Sequence, residues 1–201
     1  MKKTKTILTV VFFVFVTSVD AQDYQSTLTF NAGFSLVGGL FDIPDVNAND
    51  GDVSSYSIPA LQVGYDYYLN HWFSLGAAGS VQFMGVNYDE YYYNSTETVE
   101  GSLNITRINI AARALFHYVN KDRLDLYSGL RMGFTNWLVT EDLTDETYNY
   151  DEILTFNSGI NYAPQLILFG VRGYFTDNFG ANMELAVGAP HFFSIGLNYR
   201  F

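Results

Sequence analysis

Eight charged side chains carry the sharpest chemical signal in the chain: Arg107, Arg113, Arg131, Arg172 and Arg200, with Asp66, Asp125 and Glu184. Each sits in a segment where apolar residues alternate with small or polar ones, and each falls on the small and polar side of that alternation. If the segments are strands, all eight side chains face the same way, away from the apolar surface. Guanidinium and carboxylate groups brought together in this way do one of two things. They line a path for ions, or they pair and fill the space between them. A buried arginine is tolerated only when paired, so the expectation is a salt-bridged plug, with Glu184 as its central partner.

The remaining constellations are weaker. His191 and Ser194 form the only pair from which a Ser-His hydrolase would start. A nucleophile and its base must come within hydrogen-bond reach, and strict alternation puts these two on opposite faces. His71 and His117 fall at strand ends. Asp42, Asp45, Asp50, Asp52, Asp89, Glu90, Glu97, Glu100, Glu141, Asp142, Asp145, Glu146, Asp151 and Glu152 make up 14 of the 21 acidic residues, and they gather in segments that read as loops free of Lys and Arg. Oxygen-rich loops suit Ca²⁺ or Mg²⁺, but the nearest match to a calcium loop, starting at Asp45, has Gly51 one place late and Tyr56 where a Glu is required. A solvated acidic surface is the expected reading. Tyr88, Tyr91, Tyr92 and Tyr93 fit either a ligand-gripping cluster or an interfacial aromatic girdle. Asn94 and Asn104 open glycosylation sequons that read as chance. No catalytic residue, metal site or cofactor is expected.

The elements that must hold these residues are strands. Aromatics make up 17% of the chain, and Tyr and Phe at 16 and 17 copies favour pleated sheets over helices. Alternation over about ten residues recurs eight times: Leu28 to Leu36, Ile58 to Tyr68, Trp72 to Val86, Leu103 to Tyr118, Leu124 to Trp137, Tyr162 to Phe175, Phe179 to Val187 and Phe193 to Phe201. The sixth is the least regular, and there Ile167, Phe169 and Val171 are expected outside, with Gly170 and Arg172 inside. Short turns at Asn70-His71, Asn120-Lys121-Asp122 and Thr176-Asp177-Asn178 alternate with long loops at 41–57, 87–102 and 138–161 and a short one near Pro190.

This pattern predicts an all-β fold, a closed eight-stranded antiparallel up-and-down transmembrane barrel. A charge-free outer face supports it, since Arg or Lys facing lipid at the midplane costs roughly 2–4 kcal/mol. Ahead of the barrel, Lys2, Lys3 and Lys5, the apolar run from Ile7 to Val16 and the sequence Val19-Asp20-Ala21 read as a cleavable signal peptide over residues 1–21. A run of ten apolar residues spans only about 15 Å as a helix, half a bilayer core of about 30 Å. The domain then covers 22–201. Its 7 basic and 20 acidic residues give a formal charge of −13, which argues against nucleic acid as a partner. With no Cys, disulfides and thiolate metal sites are excluded.

The run Gly170-Val171-Arg172-Gly173-Tyr174-Phe175-Thr176-Asp177-Asn178-Phe179-Gly180, followed by Ser194-Ile195-Gly196-Leu197-Asn198-Tyr199-Arg200-Phe201, resembles the small OmpA/OmpX-like outer-membrane β-barrel family, often labelled the porin family. The resemblance covers the whole mature chain in pattern and the last three strands in motif. It implies a Gram-negative cell envelope location, lipid and lipopolysaccharide as surroundings, and a monomer. It also implies that Phe201, Tyr199, Leu197 and Ile195 form the signal read by the barrel-assembly machinery. Unlike OmpA, the chain is expected to carry no peptidoglycan-binding domain after the barrel. Three functions follow as expectations: a structural or surface-interaction protein with an unknown extracellular ligand, a narrow channel for small solutes, and, behind these, a lipid-modifying hydrolase.

Overall fold

The computed structural model describes residues 26–41, 52–94, 97–143 and 159–201. The signal segment 1–21, residues 45–51 of the calcium-like segment and the loop carboxylates Asp42, Asp45, Asp50, Asp145, Glu146, Asp151 and Glu152 lie outside the described residues. Nine strand segments and one short helix follow one another: β1 (Ser26–Phe34), α1 (Leu36–Phe41), β2 (Asp52–Ser57), β3 (Ala60–Asn70), β4 (Phe73–Asn94), β5 (Glu97–Lys121), β6 (Leu124–Leu143), β7 (Ile160–Tyr174), β8 (Phe179–Gly188) and β9 (Phe193–Arg200).

All pairings are antiparallel. The order β3-β1-β9-β8-β7-β6-β5 closes through β4, which pairs with both β3 and β5, so the sheet returns on itself. β2 and β3 both lie along β4 and act as one strand interrupted at Pro59, which has no N–H to give to the ladder. The Ile58 amide donates to the Phe83 carbonyl at 2.9 Å and carries the ladder across the break. The fold is therefore a closed eight-stranded antiparallel barrel. Reciprocal backbone bonds of 3.1 and 3.0 Å between Ser26 and Phe201 zip its first and last strands together.

Residues of opposite parity separate cleanly. Outward positions carry Phe30, Leu61, Val63, Leu75, Ile110, Leu130, Met132, Phe134, Leu185, Ile195 and Leu197, all exposed; Ile110 is 68% exposed. Inward positions carry Thr29, Asn31, Gln62, Ser74, Ser80, Asn109, Asn182 and Asn198, all buried. A soluble fold inverts this pattern.

Four expectations from sequence are corrected. The segment 87–102 is mostly strand, because β4 and β5 continue as a hairpin to the Asn94–Glu97 pair, and β6 runs on to Leu143 through much of the segment read as a loop from 138. A ladder needs only backbone partners, and beyond an apolar environment neither face has to be apolar, so the alternation that marks strands fades while the strand goes on. With β2 on one side and β6 on the other, this hairpin forms a four-stranded wall rising above the barrel rim.

Ile167 points inward and is fully buried against Leu115, Tyr127 and Ala186. The register of β7 shifts between Ile167 and Phe169, and the extra residue, Leu168, forms a β-bulge. Two successive residues, Leu168 and Phe169, then face outward, and a bulge of this kind flips the parity of everything beyond it. The first strand ends at Phe34 instead of reaching Leu36. Ser35 there caps α1, its hydroxyl accepting from the Gly38 amide at 2.8 Å, and α1 lays Val37 against Met84, Leu103 and Ile105 at the loop-side mouth. The fourth correction concerns His191 and Ser194, which both face inward and are both fully buried, because β9 starts only at Phe193 and the residues before it are not bound by strand alternation.

Candidate functional site

The lumen is the site. Arg107, Arg113, Arg131, Arg172, Arg200, Asp66, Asp125 and Glu184 are all directed into it, and all are buried. Three neighbouring strands build its centre. Asp66 on β3 and Arg113 on β5 are both cross-strand partners of Gly76 on β4. A Cβ at position 76 would overlap the Asp66 carboxylate, so the glycine is what lets the two charged side chains meet over β4. Arg113 Nε lies 3.2 Å from Asp66 Oδ1, and its Nη2 donates to Glu184 Oε1 at 2.5 Å.

The same device recurs on the opposite wall. Tyr127 on β6 and Glu184 on β8 flank Gly170 on β7. The tyrosine ring lies flat over the glycine, where any Cβ would overlap it, and its hydroxyl donates to Glu184 Oε1 at 2.7 Å. Gly170→Val is accordingly expected to cost about 1–3 kcal/mol by overpacking, measured as a lowered urea midpoint of the refolded protein. In a Tyr127→Ala background the same substitution should cost much less, because the ring it strikes is gone.

Below this centre, towards the short turns, Arg172 ties the network together. Its Nη2 donates to Asp66, its Nη1 contacts Tyr68 Oη at 2.9 Å and Asp125 Oδ2 at 3.3 Å, and its guanidinium sits 4.5 Å from the centroid of the Tyr127 ring. Tyr68 donates to Asp125 Oδ2 at 2.7 Å. The other oxygen of Asp125 contacts His117 Nδ1 at 2.7 Å, and His117 Nε2 meets Ser74 Oγ at 2.8 Å. This is a Ser-His-Asp hydrogen-bond chain. Ser74 is fully buried, and the Asp125 carboxylate is shared with Arg172 and Tyr68, so the chain ties β4, β5 and β6 together. It was not legible in sequence, because Ser74 and His117 are brought together only by the non-local register of β4 against β5.

At the short-turn rim Arg200 donates to the Asp177 and Asp122 carbonyls, the latter at 2.6 Å, and stacks 3.9 Å from the centroid of Tyr174. Near the loop-side mouth Arg107 donates to Gln82 Oε1 at 2.5 Å and to the Pro190 carbonyl, and lies 5.5 Å from the centroid of Trp137. Gln82 Oε1 also accepts from Ser35 at 3.0 Å. The His191 ring lies 3.9 Å from Glu184 Oε2, beyond hydrogen-bond range, and makes no bond to Ser194. Among the described residues no group of three or more His, Asp or Glu side chains is placed to hold a metal ion.

The chain matches no protein-family model and no curated protein. Several solved structures resemble it in outline, two of them as follows. One is Ail, the attachment invasion locus protein of Yersinia pestis, solved with the heparin analogue sucrose octasulfate, at 11% identity and a TM-score of 0.42 over 88% of this chain and 97% of that one. The other is the translocator domain of the autotransporter NalP from Neisseria meningitidis, at 12% identity and a TM-score of 0.35 over 100% of this chain and 96% of that one. Barrel closure rests on this chain's own strand pairings, given above.

Of the predicted exterior residues, Ile195, Leu197 and Tyr199 are exposed along the outer face of β9, and Phe201 is half-buried at its end. Together they form a row of apolar side chains on the closing strand.

Proposed function

We propose that the protein is an integral β-barrel of a Gram-negative outer membrane with a structural or surface-interaction role and no enzymatic one. The observation that carries this reading is the inverted partition of the barrel wall. Large apolar side chains stand exposed all round the outside, while every described charge of the strand interiors is turned into a packed lumen. An exposed apolar surface of that extent is a severe aggregation hazard in water and the required surface in lipid. On this reading lipid and lipopolysaccharide surround the belt, the assembly machinery reads Phe201, Tyr199, Leu197 and Ile195, and the monomer needs no partner to close its sheet.

The surface role is supported by the wall of β2, β4, β5 and β6, which extends well past the 9–11 residues a transmembrane strand needs, to Asn94 and Leu143. Its sequence includes Asp52, Asp89, Glu90, Glu97, Glu100, Glu141 and Asp142, an acidic composition suited to an extracellular ligand of opposite charge. The lumen supports a non-conducting barrel, because an eight-stranded interior is about filled by side chains and here it is crossed by Arg113, Arg172 and Tyr127.

Two measurements test this together. The unboiled protein from the outer-membrane fraction is expected to migrate faster on SDS gels than the boiled protein, and planar bilayers containing it should show no steady openings. A soluble periplasmic protein without a heat shift would overturn the membrane reading. Steady openings would replace the packed lumen with a narrow channel.

A further inference from the structure

The lumen charges do not balance. Setting aside Arg200 at the short-turn rim, Arg107, Arg113, Arg131 and Arg172 are at most 3% exposed, and among the described residues the buried carboxylates are Asp66, Asp125 and Glu184. With the histidines neutral, one positive charge is left over. Arg113 and Arg172 hold the carboxylates, and Arg107 is satisfied by Gln82 and the Pro190 carbonyl. The surplus therefore resides on Arg131. It is fully buried, and none of its three guanidinium nitrogens has a hydrogen-bond partner among the described residues. An uncompensated guanidinium in such a place costs several kcal/mol, and its cross-strand partner on β5 is another arginine, Arg113.

The groups around Arg131 are also unspent. Gln165 is its cross-strand partner on β7 and donates to the His191 carbonyl at 2.5 Å, leaving its own Oε1 without a partner. Both ring nitrogens of His191 lack a hydrogen bond, as does Ser194 Oγ. The His191 ring packs on Gly33, which is the cross-strand partner of Ser194. Arg131, His191 and Ser194 thus bring a cationic fork, an imidazole and a hydroxyl to one end of the lumen, none of them in a hydrogen bond, with Glu184 Oε2 lying 3.9 Å from the imidazole.

We propose that Arg131, with His191 and Ser194, forms a buried site for one small monovalent anion, of halide or nitrate size. A single negative charge offsets the Arg131 guanidinium, and an interior largely filled by side chains limits the ion to a small one. The site is independent of what surrounds the barrel, and it borders the central network at Glu184 without sharing a hydrogen bond with it.

The test uses the full barrel refolded in detergent micelles, with its melting midpoint followed in sodium bromide and in sodium gluconate at equal ionic strength. Bromide is expected to raise the midpoint in a saturable way, as a ligand of the folded state does, whereas gluconate is too large to enter. Arg131→Met should abolish the difference while leaving the fast-migrating unboiled band. No bromide effect, or an equal effect in Arg131→Met, would overturn the proposal and leave Arg131 to water or to the free oxygen of Glu184. Should the variant not fold, crystals of the unaltered protein grown in bromide decide: an anomalous peak in contact with the Arg131 guanidinium upholds the site, and its absence overturns it.

Discussion

Asp66→Asn is expected to lower stability by about 3–5 kcal/mol, the range for removing one partner of a buried ion pair. Asp66 is fully buried and, among the described residues, is the only carboxylate that contacts both Arg113 and Arg172. The amide keeps the shape and still accepts one hydrogen bond, so the loss is one of charge rather than volume. Two arginines then share Asp125 and Glu184, and the surplus positive charge of the lumen doubles. The loss should appear as a fall in the urea midpoint of the refolded barrel with an unchanged slope. Glu184→Gln should cost less, because Arg113 keeps Asp66 and the new amide oxygen still accepts from Tyr127. Equal stability of Asp66→Asn and the unaltered protein would mean that the lumen is hydrated enough to screen its charges.

Ile110→Arg carries the second large effect, and its size depends on what lies outside the barrel. Ile110 pairs with Gly79 and Phe134 near the middle of the outer face and is 68% exposed. In water an exposed Ile→Arg change away from any special feature stays within about 0.5 kcal/mol. At a bilayer midplane it costs roughly 2–4 kcal/mol. Refolding the variant into lipid vesicles and measuring its urea midpoint separates the two. A near-neutral result in vesicles into which the parent protein folds would show that this part of the wall does not face hydrocarbon.

Most of the barrel is legible in the sequence because alternation is a local property. Arg113 and Asn109, or Asp125 and Tyr127, declare their face from their own neighbours. What failed to read was non-local or lay beyond the apolar zone. The Leu168 bulge is set by how β7 fits β8, and it turned Ile167 inward against its apparent parity. The upper hairpin of β4 and β5 pairs without needing an apolar face, so it looked like loop. The partners inside the lumen were beyond reach for the same reason. Sequence placed Asp66, Arg113 and Glu184 in one compartment, but which carboxylate meets which guanidinium depends on registers such as Asp66–Gly76–Arg113, and no residue carries that information alone.

Those glycine-spanned pairs have a bearing on assembly as well as on the finished barrel. Sliding β3 by one residue along β4 would swing Asp66 out into the apolar surroundings and leave Arg113 and Arg172 stranded inside. A slip by two would restore the face but set Asp66 beside Ala78 or Ser74 instead of Gly76, where a side chain stands in its path. The charged lumen thus works as an error check on threading: mis-aligned sheets can bury as much apolar surface as the native one, but they cannot neutralise their own interior.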